Sequence, residues 1–326
     1  MDANKPMNFL KSFITFLCIS ISLAAHAKLD KSKVYPPVDV EMKTVKVSKN
    51  VYFVQGVAGV PTDNAGFISN AGFIVTSVGV VVFDTLGTPS LAARLLTEIR
   101  KITSLPIRYV VVSHYHADHI YGLQVFKDLG AKIIAPQGAK LYLDSSVADN
   151  LLETRRFELS PWVDASTHLV VPDQYIDKDT QFSLGGIKFN ITLLGNAHSQ
   201  GDLTLLVEPD NVLFSGDLIF EGRIPFIGQA NIFNWMKALD SMRSVNVSAV
   251  LPGHGPLAKD PNALINLTYG YLSLLKNKMQ TATTNWVPFA EAYSKIDWSD
   301  YKHLPAFEAA NRRNAYNVFL FMEQTQ

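Results

Sequence analysis

The sequence predicts an α/β (α+β) fold in which mixed sheets are covered by helices, and three features support this prediction. Apolar runs come in hairpin-like pairs, as in residues 71–84 and 203–214. Segments with apolar residues at helical spacing follow such pairs, as in residues 232–242. Several apolar runs also end directly at polar residues. Hairpins that alternate with amphipathic helices pack most simply as sheets with helices on the outside.

The first half of the chain supplies most of one sheet. Residues 28–44 are polar, contain two consecutive prolines and predict an extended lead-in. Thr88 before Pro89 is typical of a helix start. The remaining predicted elements are a strand over 45–55, a hairpin over 71–84, a helix over 88–102 and a buried strand over 107–112 that ends at Ser113.

The second half repeats the same order of hairpins, helix and strand. Its predicted elements are helices over 122–129, 137–158 and 232–242, strands at 132–135 and 249–251, and hairpins over 182–194 and 203–214. From residue 261 to the end the pattern is mainly helical. The predicted organisation is therefore a leader at 1–27, the lead-in at 28–44, one domain at 45–260 and a helical extension at 261–326.

The first 27 residues have the pattern of a cleavable signal peptide. Lys5 and Lys11 precede an apolar run over 13–23, and Ala25-His26-Ala27 resembles a cleavage site. The apolar run is shorter than the roughly 18 residues that a membrane-spanning helix needs. We therefore expect a periplasmic or secreted protein without a membrane anchor after cleavage. The single cysteine, Cys18, lies in this segment, so the mature chain has no thiolate ligand or nucleophile.

The composition excludes several classes of partner. The 29 basic and 29 acidic residues balance, and no basic run is present, so nothing indicates binding to nucleic acid or to an anionic membrane surface. A hydrophobic content of 48% supports a substantial core rather than disorder. The expected partner is a small-molecule substrate, and the sequence does not indicate an oligomeric partner.

A cluster of four donors directly follows the buried strand at 107–112. The segment reads His114-Tyr115-His116-Ala117-Asp118-His119. Residues two apart in extended chain point the same way, so His114 and His116 can converge on one ion. If a helix begins here, Asp118 and His119 can face a second ion. Imidazole and carboxylate are suitable zinc ligands.

Three further candidate ligands stand beside glycine, each after a predicted strand. They are His198 in His198-Ser199-Gln200-Gly201-Asp202, Asp217 in Ser215-Gly216-Asp217, and His254 in Gly253-His254-Gly255. Glycine permits tight turns and close approach of the backbone. Together with the cluster, these residues complete a candidate metal site.

This set of motifs resembles the metallo-β-lactamase superfamily over roughly residues 45–256. The resemblance implies an αββα sandwich of two mixed sheets flanked by helices, with two metal ions at one edge of both sheets. It further implies a first site of His114, His116 and His198, a second site of Asp118, His119 and His254, and Asp217 between them. Asp84, after the early strand, would orient a ligand from outside.

Departures from the family pattern indicate which branch of the superfamily this sequence resembles. Asp217 stands where the true β-lactamases of the superfamily carry Cys or Ser, as in thioesterase-like hydrolases such as glyoxalase II. Tyr121 departs from the usual glycine and is a candidate substrate contact or a packed aromatic residue. Arg223 is a candidate contact for an anionic group or a loop anchor in a salt bridge. Residues 221–226 and 303–314 resemble the periplasmic metallohydrolases associated with quinoprotein and sulfur-oxidation systems.

The predicted function is a zinc-dependent hydrolase with two zinc ions per chain. A dimetal-bound hydroxide would attack a small ester, thioester, lactone or related substrate, and Asp118 would orient the water or pass on its proton. Three alternatives remain open: a mononuclear iron oxidoreductase resembling persulfide dioxygenases, a class B β-lactamase, and a metal-binding partner protein without turnover. The helical extension would either cap the metal site or mediate association.

Overall fold

A computed structural model describes residues 35–258 and 260–325. Two mixed sheets pack face to face, and helices cover both outer faces, which confirms the predicted fold class. The predicted signal peptide lies outside the described residues. Within the described residues, no helix combines the length and apolar character needed to cross a bilayer.

The first sheet has seven strands in chain order, antiparallel from β1 to β4 and parallel from β4 to β7. The strands are β1 (Thr44–Lys46), β2 (Val51–Val54), β3 (Ala71–Val75), β4 (Val80–Phe83), β5 (Ile107–Val111), β6 (Lys132–Pro136) and β7 (Gln174–Ile176). The prediction of one strand over 45–55 is wrong, because a turn at residues 48–50 divides it into β1 and β2. Asp210 from the other sheet holds this turn by accepting from the backbone N–H and the side chain of Asn50.

The second sheet has five strands in the order β12-β11-β10-β9-β8. They are β8 (Thr180–Leu184), β9 (Ile187–Gly195), β10 (Asp202–Glu208), β11 (Val212–Phe220) and β12 (Ala249–His254). β11 is longer than predicted and is buried along its whole length. Asp217 therefore lies within a strand rather than after it, and His254 is the last residue of β12.

In the described part of the chain, five α-helices cover the first sheet and four cover the second. The first set is α1 (Pro89–Ile102), α2 (Ala117–Ile120), α3 (Leu123–Asp128), α4 (Gly138–Leu143) and α5 (Ser146–Glu158). The second set is α6 (Ile232–Met242), α7 (Pro261–Thr284), α8 (Phe289–Ser294) and α9 (Phe307–Gln324). The predicted start of α1 is confirmed, since the Thr88 side chain caps it by accepting from Leu91 N at 3.1 Å.

Three apolar cores correspond to these layers. The central core lies between the sheets and joins residues such as Phe83 and Phe214, whose ring centroids are 4.8 Å apart. The outer cores lie between each sheet and its helices. A stack of two sheets between two helical layers leaves the strand ends at one edge free to carry polar side chains.

The C-terminal helices share the second outer core instead of standing apart. Thr268 of α7 both donates to Phe220 O and accepts from Phe220 N, each at 3.0 Å, at the end of β11. Asn314 of α9 accepts from Ile227 N at 3.1 Å and donates to Pro225 O at 2.7 Å. The extension therefore holds the loop that follows β11, which borders the candidate site.

Candidate metal centre

The four clustered donors lie where β5 ends and α2 begins. His116 is extended, with φ −112° and ψ 151°, and serves as the N-cap residue of α2. The helix that follows carries Asp118 and His119, as expected from the sequence. His114 and His119 are buried, while the Asp118 side chain is 21% exposed. The change from strand to helix within six residues thus turns four donors toward one place.

His114, His116 and His198 converge in the first ligand group. His116 Nδ1 lies 3.0 Å from His114 Nε2 and 3.0 Å from His198 Nε2. His198 arrives from the turn between β9 and β10 and packs edge-on against Trp235, with ring centroids 4.9 Å apart. Side chains 82 residues apart in sequence therefore present three nitrogen atoms to one point.

Asp118, His119 and His254 form the second ligand group. Asp118 Oδ2 lies 3.3 Å from His254 Nε2 and 3.6 Å from His119 Nε2. The His254 ring is stacked on Phe220, with centroids 4.8 Å apart and an interplanar angle of 8°. The donor atoms within each group lie no more than 4.8 Å from one another.

Asp217 lies between the two groups. Its Oδ2 is 3.4 Å from His198 Nε2 and 3.2 Å from His254 Nε2, and its Oδ1 is 3.1 Å from His119 Nε2. The preceding Gly216 has φ +52°, and a Cβ there would meet Ser113 at 2.5 Å, so a glycine is required for β11 to approach this closely. This position fits a carboxylate shared by two ions.

Asp84 orients one ligand in each group from outside. It has φ +57°, a left-handed conformation that aspartate tolerates better than most residues. Asp84 Oδ2 is 2.9 Å from His119 Nδ1 and accepts from the Ser113 hydroxyl at 2.7 Å. The Ser113 oxygen is in turn 2.9 Å from His114 Nδ1. Because the Ser113 proton is directed to Asp84, its oxygen accepts from His114 Nδ1–H. This leaves Nε2 of both histidines free for a metal.

The strand-end histidines are fixed by other contacts. His254 Nδ1 donates to Ile68 O at 2.7 Å, which leaves its Nε2 free in the same way. The turn that carries His198 is held by buried Asp202, which accepts from Ala197 N at 3.1 Å and from Ser199 N at 2.9 Å. Outer contacts of this kind set the tautomer and the direction of a ligand.

Burial and nearby charges give the two ligand groups different protonation states. Burial lowers the pKa of His114 well below its ordinary value and lowers the pKa of His198 to about 3. Burial also opposes a charged His119, but Asp217 and Asp118 outweigh it and raise the pKa of His119 well above its ordinary value. For Asp217, burial raises the carboxyl pKa, but His254 and His119 outweigh burial and hold it well below its ordinary range. The first group therefore presents neutral imidazoles, and the second presents ionised carboxylates beside histidines.

The donor set fits divalent metal ions. Zinc–ligand bonds of 2.0 to 2.2 Å in tetrahedral geometry separate the ligand atoms by about 3.4 Å. Separations of 3.0 Å between His116 and His198 and of 3.8 Å between His114 and Asp217 lie on either side of this value. His119 Nε2 and Asp217 Oδ1 are buried without a hydrogen bond of good geometry. Buried polar atoms of this kind normally have a partner, and a bound cation supplies one.

The two candidate substrate contacts have different surroundings. The Tyr121 side chain is 1% exposed and belongs to the first outer core, which agrees with the packed aromatic residue and not with the substrate contact among the two alternatives for this position. Burial, together with nearby Tyr142, raises the pKa of the Tyr121 phenol. Arg223 is buried, and its Nη1 lies 3.5 Å from His254 Nδ1, on the side of that ring away from Asp118 and Asp217. Its role as a substrate contact stays a prediction.

Sequence reasoning missed several residues that support the site. The sequence marks Ser113 only as the end of a predicted strand, and no pattern marks Asn70. Asn70 donates to Pro252 O and Gly255 O, each at 2.8 Å, on both sides of His254. Phe226, 37% exposed, lies with its ring centroid 6.3 Å from that of His116. The position of Ser113, a polar residue directly before a histidine cluster, is a sequence signal for a supporting role. Nothing near Asn70 in sequence indicates its role.

Comparison with known proteins agrees with this geometry. The family model described as the metallo-beta-lactamase superfamily matches residues 64–254. Metallo-beta-lactamase IND-1 of Chryseobacterium indologenes is 24% identical over 252 residues, which span 75% of this chain and 92% of that protein. A linear primary-alkylsulfatase of a Pseudomonas strain is 24% identical over 54% of this chain and 39% of its own length.

Solved structures show the same fold. A metallo-beta-lactamase from Pontibacter korlensis superposes with a TM-score of 0.56 at 20% identity, over 72% of this chain and 99% of that chain. The sec-alkylsulfatase Pisa1 from a Pseudomonas species superposes with a TM-score of 0.66 at 16% identity, over 86% of this chain and half of that chain. At these identities the likeness describes the fold.

Proposed function

The chain belongs to the metallo-β-lactamase superfamily and is a metal-dependent hydrolase, and on that premise we propose that it uses two zinc ions to cleave a small ester, thioester, lactone or related substrate. The observation that carries this proposal is the position of Asp217, which lies within 3.4 Å of a histidine of each ligand group. A carboxylate shared in this way suits two ions rather than one.

The seven candidate ligands would hold two metal ions. His114, His116 and His198 would hold the first, Asp118, His119 and His254 would hold the second, and Asp217 would contact both. When bound, the ions would lower the pKa of water toward about 7 and polarise the bond to be cleaved. The mature chain needs no cysteine or serine nucleophile for this chemistry.

Asp118 is the residue best suited to move a proton. Burial alone would raise the pKa of its carboxyl, but His119 and His254 outweigh burial and hold it well below the ordinary value. The group is therefore ionised at neutral pH and can accept a proton from an attacking water. Within the second ligand group, Asp118 is the donor whose side chain is partly exposed, so substrate and water can reach it.

The metal-bearing edge excludes bulk water from most donors. His198 and His254 lie against Phe220, with ring centroids 5.6 Å and 4.8 Å away. In such apolar surroundings, charge that develops on a substrate interacts more strongly with nearby ionic groups than it would in water. The buried histidines thus supply an ordered site, and substrate can reach it past His116 and Asp118, the two donors that are partly exposed.

Removal of one donor from each role tests the proposal. We expect His116→Ala to lose one metal ion and Asp217→Ala to weaken both, and we expect hydrolysis to fall to near background in each variant. Metal content is measured by elemental analysis, and turnover is measured on a thioester, a lactone, a phosphodiester, a β-lactam and an alkyl sulfate. His168→Ala is the control, because His168 is exposed and lies outside both groups.

Each alternative has its own signature in this experiment. Full activity in both variants would end the hydrolytic mechanism proposed here. One iron per chain, with oxygen uptake on a persulfide, would favour an oxidoreductase. Turnover of the β-lactam alone would favour a lactamase, although Asp217 replaces the residue expected there. A full metal load without turnover of any substrate would favour a binding protein.

Export is the second part of the proposal. We infer from Lys5, Lys11 and the Ala25-His26-Ala27 motif that the protein is periplasmic or secreted. Expression of the full chain in a Gram-negative host, followed by fractionation and N-terminal sequencing, should give a mature protein that begins near Lys28. An intact N-terminus in the cytoplasmic fraction would contradict this inference.

A further inference from the structure

Two neighbouring arginines of α9 are stacked on aromatic rings at the border of the site. The Arg312 Cζ lies 5.4 Å from the ring centroid of Phe289 and 5.1 Å from that of Tyr293, and the Arg313 Cζ lies 5.4 Å from that of Phe226. Within residues 35–258 and 260–325, neither guanidinium has a carboxylate oxygen within 4.0 Å. Stacking occupies the guanidinium faces and leaves the N–H edges available to an oxyanion.

A cavity of about 490 Å³ opens between these side chains. Its lining consists of Phe289, Glu308, Ala309, Arg312, Arg313 and Tyr316. The volume is typical of a site for a small molecule. Two arginines against one glutamate leave the lining with net positive charge, and the two aromatic side chains supply apolar surface. This combination suits an anionic group attached to an apolar chain.

Phe226 lies between Arg313 of the cavity lining and His116 of the metal centre. The Phe226 ring contacts Arg313 on one side and faces the ring of His116, 6.3 Å away, on the other. Asn314 and Asn317 of α9 bind the backbone of the same loop, at Pro225 O and Gly228 O. The helix that carries the two arginines therefore also holds the loop that places Phe226 beside His116.

We propose that this cavity binds the distal anionic group of an elongated substrate whose reacting group lies at the metal centre. The apolar part of the substrate would lie over Phe226, and Arg312 and Arg313 would bind the oxyanion. This inference rests on the proposed hydrolase function and names its substrate class. The cavity lining lies beyond residue 254, outside the segment that matches the superfamily model. It is therefore a feature of the C-terminal extension.

A matched series of substrates tests the proposal. The series contains 4-nitrophenyl monoesters of dicarboxylic acids with four to eight carbons and the same compounds with the distal carboxylate methylated. For the charged series, we expect Arg312→Met combined with Arg313→Met to lower kcat/KM roughly tenfold or more through KM, because charge-assisted hydrogen bonds are lost. Rates for the methylated series should stay within about twofold, since Met retains apolar packing.

Arg243→Met is the matched control. Arg243 is also stacked on an aromatic ring, 5.1 Å from the Tyr269 centroid, but it is paired with Asp240 and lies outside the cavity. It should leave both series unchanged. If the double variant lowers the rates of charged and methylated esters equally, the two arginines have a structural role and the proposal is wrong.

A binding measurement separates this inference from the proposed hydrolysis. Suberate, a dicarboxylate that cannot be hydrolysed, is titrated calorimetrically into the zinc-loaded wild type, the double variant and Arg243→Met. Weaker binding in the double variant alone supports the subsite even if the wild type turns over none of the esters, a result that would count against hydrolysis only. Equal binding by all three proteins would overturn the subsite.

Discussion

The first sheet presents four of the seven donors from one segment, whereas the second sheet presents three donors from three separate places, which are the turn after β9, the interior of β11 and the end of β12. The donors at residues 114–119 are close in sequence, and Asp84 from the same half binds His119 directly and His114 through Ser113. His198, Asp217 and His254 are brought together only because β9, β11 and β12 belong to one sheet. The first half thus forms its part of the site locally, and the second half forms its part by topology.

This difference predicts where each half is vulnerable. The donors of the first half depend on one buried carboxylate and on a helix start. His254 of the second half depends on contacts from the first, because Ile68 accepts its Nδ1 proton and Asn70 holds the backbone on both sides of it. Damage to the contact between the halves should therefore disturb the second ligand group before the first.

The largest expected effect comes from Asn70→Ala, which breaks the contact between the halves. The buried Asn70 side chain makes three hydrogen bonds, to Gly56 N, Pro252 O and Gly255 O. Their loss should lower the free energy of unfolding by about 3 kcal/mol, at roughly 1 kcal/mol for each buried bond. Urea denaturation measures this change. The affinity for the second metal ion should fall more than that for the first.

Asn64→Ala is the control for that variant, since the Asn64 side chain makes only a long, exposed contact of 3.4 Å with Val57 O. It should change stability by less than about 0.5 kcal/mol. Equal stability of Asn70→Ala and the wild type would show that the two halves do not depend on this clamp.

An intermediate effect is expected from Asp84→Asn, which removes the charge that orients the first-half histidines. Asparagine tolerates the left-handed backbone at this position, so the fold should persist. Because Asp84 binds His119 directly and reaches His114 through Ser113, the affinity for both ions should fall about 10- to 100-fold. Zinc competition with a chromophoric chelator measures it.

Ser113→Ala tests the same orienting contacts for the first ion alone. It removes the hydroxyl that links Asp84 to His114 but leaves the direct bond from His119 intact. The first ion should be weakened and the second retained. Unchanged affinity for both ions in Asp84→Asn would mean that the ligands are fixed by packing alone.

The smallest expected effect concerns pH and the turn that carries His198. Burial raises the pKa of Asp202 to about 7, although hydrogen bonds from Ser199 and Ala197 lower it. The unfolded carboxyl loses its proton near pH 4, so between about pH 4 and pH 7 the folded state binds more protons. The stabilising contribution is therefore present below this window and lost as pH rises through 7.

Chemical denaturation of the chelator-treated protein measures this dependence. Between pH 6 and pH 7 the change should be less than about 1.4 kcal/mol, the limit for one proton per pH unit. Histidines of the unfolded chain take up protons near pH 6.5 as well, so the informative quantity is the difference between the wild type and Asp202→Asn. Parallel pH curves for the two proteins would show that Asp202 does not titrate there.

Local patterns predicted the elements that local forces determine. The cap at Thr88, the helix at residues 232–242 and the helix start after His116 follow from short-range hydrogen bonding and periodicity. The prediction of a single strand at 45–55 is wrong because the turn within it is held by Asp210, a residue 160 positions away. Long-range contacts of this kind leave no mark in the local sequence.

The candidate substrate residues show the same limit. Tyr121 stands next to the metal cluster in sequence, but its position on the first turn after α2 directs the ring into the first outer core. Phe226 and Arg313 are 87 positions apart and carry no shared motif, yet their side chains stack beside His116. Adjacency in sequence therefore left two alternatives open for Tyr121 and gave no indication that Phe226 lies near the metal centre.

The sequence by itself determined the chemistry of the site, because residue types restrict what a group can do. Imidazole and carboxylate donors at strand ends, with no cysteine in the mature chain, indicated a metal centre before any geometry was known. The resemblance carried by the motifs further implied how the donors divide around Asp217 and that Asp84 orients a ligand. Only the tertiary structure decided that Asp84 reaches His114 through Ser113, that Asn70 holds the backbone around His254, and that the C-terminal extension borders the site. These features depend on which strands and helices pack together, and that packing is set by burial of apolar surface across the whole chain.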